Sequence, residues 1–227
     1  MPKCSKGSPR AAAWLALGAF ILIPLLLTQF GMRWRPLPLH LLVLLAAGGL
    51  ALLWTRRKFA SRRLWARPPA GWWHGPVVRA GALALAAGAY VLTCQPETAF
   101  RLLTDRPLFW LLIMILYPLL SVLPQEILFR VCLTDILSTA CWGKLHSPLI
   151  PILGSALLFG WAHIIYAGYV ALISTCLAGL ALAWNYHRNR EQPGAMWPLF
   201  LEHGLYGQII FTTGLGHYFY VLRGATF

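Results

Sequence analysis

The sequence predicts an all-α, polytopic transmembrane helix bundle of about eight spans, forming a single integral-membrane domain over residues 1–227. Two observations carry this. Hydrophobic residues make up 59% of the chain and charged residues only 11%, and the mean hydropathy is +0.64. Apolar runs long enough to cross a bilayer also recur along the chain, leaving no room for a soluble domain between them.

The elements follow in order. Residues 1–10 form a basic tail, with Lys3, Lys6 and Arg10 ahead of an apolar run over 11–31. That arrangement resembles a signal peptide, but the run is long, lacks a small-residue cleavage site and is followed by further spans. A retained signal anchor is the expectation. Seven more spans are expected at 37–55, 77–95, 107–123, 125–141, 148–166, 168–186 and 195–217. Pro36, Pro76, Pro107, Pro148 and Pro193 lie near span starts, where a missing N–H does little harm. Pro124 divides the fourth span from the fifth, either as a tight turn or as a kink in one long helix. There is no internal repeat.

An excess of 19 Lys+Arg over 6 Asp+Glu would suit a nucleic-acid partner if it were spread over a surface. Here it crowds into loops, at Arg56-Arg57-Lys58 and at Arg62, Arg63 and Arg67. The positive-inside rule and anionic headgroups account for that pattern, so the expected partners include membrane lipids and no nucleic acid. The tail and the Arg56–Arg67 loop then share the cytoplasmic side. Eight spans return the C-terminus to that side and bring Glu126 and His163 to one depth. The cost is that His187-Arg188-Asn189-Arg190 falls outside. Cys4, Cys94, Cys132, Cys141 and Cys176 are scattered without a C-x-x-C pair, and read as packing residues rather than disulfides or zinc ligands.

The chemistry centres on Glu126, in the run Ser121-Val122-Leu123-Pro124-Gln125-Glu126-Ile127-Leu128-Phe129-Arg130. An ionisable group at mid-membrane costs roughly 3 kcal/mol on insertion scales, so it faces a partner or a polar cavity. A helix puts Arg130 one turn away on the same face. Glu126 therefore reads either as half of a structural ion pair or as a general base. His163 and His203, each in another apolar span, read singly as satisfied core histidines. Together with Glu126 they make a site able to activate water. Asp135 is a separate helix-end group. Glu202 precedes His203 but points about 100° away, so it orients a neighbour rather than pairing with that histidine. Two histidines and a carboxylate could hold zinc with one water position open, although no H-E-x-x-H is present. Without metal, the carboxylate takes the proton while the histidines hold water and polarise the carbonyl. Either version hydrolyses an amide brought into the membrane plane.

Gln125-Glu126-x-x-x-Arg130, Phe159-x-x-x-His163 and His203-x-x-x-Gly207-Gln208 resemble, in order and setting, the motifs of the CPBP family. These are intramembrane proteases related to CAAX prenyl endopeptidases. The resemblance covers a motif-bearing core over roughly 105–220. It implies a bundle of about eight helices around a polar cavity and a glutamate-dependent, metal-free hydrolysis, zinc being the older alternative. It also implies a catalytic set of Glu126, His163, His203 and Arg130, supported by Gln125, Gln208 and Phe159. The chain departs from the family at two points. The first motif commonly begins with Glu where Gln125 stands here, leaving Glu126 as its only carboxylate. The last motif usually ends in Asn or Asp, where this chain has Gly207 followed by Gln208.

The expected substrate is a peptide with a membrane-embedded end, such as a leader or a C-terminal sorting tail. The Ala/Leu/Arg-rich composition fits a bacterial inner membrane. The alternative is a non-catalytic membrane scaffold or immunity protein that binds such peptides. A transporter fits less well, for there are no paired broken helices in matching halves. The sequence assigns no oligomeric state.

Overall fold

The computed structural model describes residues 9–30, 37–55, 61–140, 148–166 and 168–219. Lys3, Lys6, Cys4, Cys141 and the Arg56-Arg57-Lys58 run lie outside them. The described residues form helices α1 (Pro9–Phe30), α2 (Leu37–Thr55) and α3 (His74–Cys94). A continuous α4 (Pro107–Ala140) follows, then α5 (Leu149–Ala162), α6 (Tyr169–Asn189) and α7 (Met196–Thr213). Short helical turns join them, and no strand occurs among these residues.

Among the described residues, four stretches are long and apolar enough to cross a membrane: Arg10–Gln29, His74–Cys94, Pro107–Ala140 and Tyr169–Asn189. Large apolar side chains point outward along them, with Leu15 77% exposed, Leu85 78% and Leu108 78%. Water would penalise such a surface, whereas lipid is an equivalent solvent for it. The chain is an all-α, polytopic integral membrane protein.

The division expected at Pro124 is absent. The spans anticipated at 107–123 and 125–141 are one helix of 34 residues, about 51 Å at 1.5 Å per residue. In a regular α-helix the ring of Pro124 would collide with the carbonyl one turn back. Here the turns on either side are widened to π-helix, over Pro118–Val122 and Ile127–Cys132. Leu123 N–H bonds to Pro118 O and Leu133 N–H to Leu128 O, each one residue further back than an α-helix reaches. The proline is absorbed rather than turned around.

This unbroken α4 reorders the ends of the bundle. Gly194 N–H donates to Arg63 O at 2.7 Å, and Arg63 also reaches the carbonyl of Glu191. Gly194 has φ +72, and a Cβ there would sit 2.6 Å from Ala66 O, so the two loops meet backbone to backbone at a position that needs glycine. Arg63 and Arg67 and the His187–Arg190 run therefore lie at the same end, which removes the conflict that an eight-span count left at that run. At the opposite end, Phe100 N–H donates to Thr213 O at 3.2 Å. Ala13 and Leu17 of α1 pack with Leu137 and Ala140 of α4, which puts Arg10 at the basic end and Phe219 at the other. The eight-span count expected both ends of the chain on one side; the residues at those ends lie outside the described ones. The turn at Pro124 is also unnecessary for depth. Glu126 lies fourteen residues before Ala140 and His163 fourteen after Leu149, so each is about 21 Å from the basic end along its helix.

Candidate active site

Glu126 sits between the two widened segments of α4 and is wholly buried. Arg130, also wholly buried, brings its Nε to 3.3 Å from Glu126 Oε2. The remaining guanidinium is held by two further contacts. Nη1 donates to Ser155 Oγ of α5 at 3.1 Å, and Ser155 in turn donates to Phe129 O at 2.8 Å. The Phe159 ring lies 4.7 Å from Arg130 Cζ, a cation–π contact in a desolvated setting. Ser155 has no counterpart in the sequence reading. A lone serine in an apolar helix gives no local sign of the arginine it will meet.

His203 of α7 brings Nδ1 to 2.7 Å from Glu126 Oε1. Two apolar helices are thus joined at mid-bundle by a carboxylate and an imidazole. Glu126 Oε2 accepts no hydrogen bond from the described residues, so one carboxylate oxygen is committed to His203 and the other faces Arg130 without an aligned bond. His163 follows the last α turn of α5, and its Nδ1 lies 2.8 Å from Phe159 O. A carbonyl only accepts, so Nδ1 carries the hydrogen and neutral His163 presents a lone pair at Nε2. The Phe159 ring is in contact with both histidines. Its centroid is 4.8 Å from that of His163 and 5.5 Å from that of His203. The first residue of the Phe159-x-x-x-His163 motif therefore packs against His163, His203 and Arg130. Among the described residues, no three His, Cys, Asp or Glu side chains converge as a cation ligand set.

The supporting glutamines fall in different places. Gln125 lines an apolar cavity of about 200 Å³ between α1, α2 and α4, together with Ser121, His163 and Tyr166. Its Nε2 donates to Ser121 Oγ at 2.8 Å, while Oε1 is buried with no partner among the described residues. Gln208 is remote from this cluster in its bonding: its Nε2 donates to Met114 O of α4 at 2.9 Å. The position between is filled from the other helix. A Cβ on Gly207 would lie 2.5 Å from the Tyr117 hydroxyl oxygen, so the Tyr117 ring occupies the space a side chain there would need. That ring also stands edge-on to His203, at 6.3 Å between centroids.

Glu202 lies in a second buried network that the sequence reading did not find. It is wholly buried and accepts from Arg79 Nε at 2.6 Å and Nη2 at 2.7 Å, from Asn185 Nδ2 at 2.7 Å and from Tyr206 OH at 2.6 Å. The fork of Arg79 on α3 makes a bidentate pair, and Asn185 adds α6. Three helices therefore meet on one carboxylate. Only the expectation that Glu202 does not pair with His203 was accessible from helical geometry.

A family model described as type II CAAX prenyl endopeptidase Rce1-like matches residues 107–223, just over half of the chain. The matched region takes in α4 to α7 and with them Glu126, Arg130, Phe159, His163 and His203. No curated protein and no solved structure gives a match. The chain belongs to the type II CAAX prenyl endopeptidase Rce1-like family.

Proposed function

We propose that this protein is an intramembrane endopeptidase that hydrolyses a peptide bond of a membrane-embedded substrate with water activated by Glu126. Its family supplies the coarser half of that statement, a membrane protease of the CAAX endopeptidase kind. The observation that carries the rest is the 2.7 Å contact of His203 with Glu126 Oε1, which leaves Oε2 free of any hydrogen bond from the described residues. In the reaction, water gives a proton to Glu126 as its oxygen bonds to the carbonyl carbon, and the carbonyl electron pair moves onto oxygen. His163 and His203 hold the water and support that oxyanion. Collapse re-forms the carbonyl and breaks the C–N bond, and the proton passes from Glu126 to the leaving amine. Arg130, locked by Ser155 and Phe159, keeps the Glu126 carboxylate in place. No step draws on a metal.

The apolar cavity beside Gln125 and His163 suits a peptide whose flanking segment is embedded in lipid, such as a leader or a C-terminal sorting tail. A bacterial inner membrane, with the basic end cytoplasmic, is the setting we propose. The decisive variant is Glu126→Gln, made at normal membrane abundance and assayed for cleavage of a lipid-anchored peptide. Loss of turnover is expected, and retained turnover would refute the assignment.

A further inference from the structure

A second, larger cavity lies away from Glu126, at the basic end of the bundle. It encloses about 850 Å³ between α3, α5, α6 and the start of α7, within the range of cavities that hold small molecules. Its walls change character along their length. At the outer end stand Arg79, Arg188, Asn189 and Gln192, and at the inner end Leu153, Leu177, Leu180 and Ala181. From Asn189 to Leu177 is twelve residues of α6, about 18 Å of groove. Trp72 and Trp184 also line it, and tryptophan favours the headgroup level of a bilayer.

The charges at the outer end do not cancel. Arg79 is neutralised by Glu202, and Arg190 lies 3.7 Å from Glu191. Arg188 is exposed and has no acidic partner among the described residues. Of the two arginines that line the groove, only Arg79 has an acidic partner among the described residues, and the Arg188 guanidinium above an apolar trough matches a phosphodiester above an acyl chain. A peptide fits less well. At the depth of Leu177 its backbone N–H and C=O groups would need partners, and the trough is walled by apolar side chains of helices whose own backbones are internally bonded. An acyl chain needs none.

We infer that this groove is a binding site for an anionic phospholipid, with the phosphate at Arg188 and one chain along α6 against Leu180 and Leu177. The site is independent of hydrolysis, so its test does not depend on activity.

The test is lipid binding to the full-length protein in neutral detergent, followed by native mass spectrometry and titration with short-chain phosphatidylglycerol or phosphatidylcholine. Phosphatidylglycerol is expected to bind more tightly than phosphatidylcholine by on the order of tenfold, and Arg188→Gln should remove that preference. Arg188→Lys should keep part of it, which separates charge from folding damage. Ala181→Trp, filling the trough, should weaken both lipids alike. Equal affinity for the two lipids in the natural protein would overturn the inference. So would full displacement by inorganic phosphate with Ala181→Trp silent, which would make this a free-anion site. Tighter binding of a carboxylate-ended apolar peptide with the same dependence on Arg188 and Ala181 would also overturn it, assigning the groove to a peptide.

Discussion

Glu202 and His203, adjacent in sequence, are gripped by different parts of the protein: Glu202 by Arg79 of α3 and His203 by Glu126 of α4. The two side chains leave α7 about 100° apart, so rotating this helix to improve one contact would spoil the other. The Arg79–Glu202 pair thereby sets the angle at which His203 meets Glu126.

Loss of that pair should cost rate before it costs substrate binding. Glu202→Gln keeps the size of the side chain but removes the charge that the Arg79 fork requires. The expected result is a fall in kcat of roughly tenfold with KM little changed, as for a misplaced catalytic group. Arg79→Lys should retain part of the rate. A purely structural role predicts lower stability with normal turnover per folded molecule, so activity is to be normalised to folded protein.

His163 and His203 should fail together. Both flank Phe159, and both are proposed to act on one water. Each alanine variant should lower the rate a hundredfold or more, roughly the scale of a positioned acid–base or oxyanion group. The double variant should be little worse than either single one. Near-normal turnover per folded molecule in either single variant would remove that histidine from the site.

Gln125→Glu restores the acidic residue with which the first motif commonly begins. Since Glu126 carries the contact with His203, the added carboxylate is expected to bring no gain in cleavage. It would also place a second buried charge beside the first, at a cost in stability. A large rise in rate would show that the base belongs at position 125 and that the natural chain is impaired.

The unbroken α4 makes a topological prediction. Reporters placed after Arg63 and after Arg190 should respond from one side of the membrane, and a reporter placed after Phe219 from the other. Matching responses after Arg63 and Phe219, with the opposite response after Arg190, would restore a turn at Pro124.

Much of this was legible in the sequence, for reasons tied to particular residues. Apolar runs marked the helices because lipid demands them. Glu126, His163 and His203 stood out because so few ionisable groups lie in those runs. Pro124 left a turn and a single long helix both open, because proline reads as a boundary and nothing local announces that the flanking turns will widen to take it. Ser155, Asn185 and Arg79 were invisible for a different reason. Each meets its partner across helices, with |i−j| of 25 for Ser155 and Arg130 and 123 for Arg79 and Glu202. Spacing along one helix cannot reveal such pairs. Gln208 looked available for the cluster by position, yet its amide is occupied by Met114 O.

The Tyr117 ring seated over Gly207 ties two distant positions into one unit of inheritance. A lineage that acquires Asn or Asp at position 207 has no room for it until the tyrosine ring is moved or replaced. One that keeps the tyrosine in this place is held to glycine. Across relatives of this chain the two positions should therefore covary, with a bulky aromatic at 117 wherever 207 is glycine and a smaller residue wherever 207 bears a side chain.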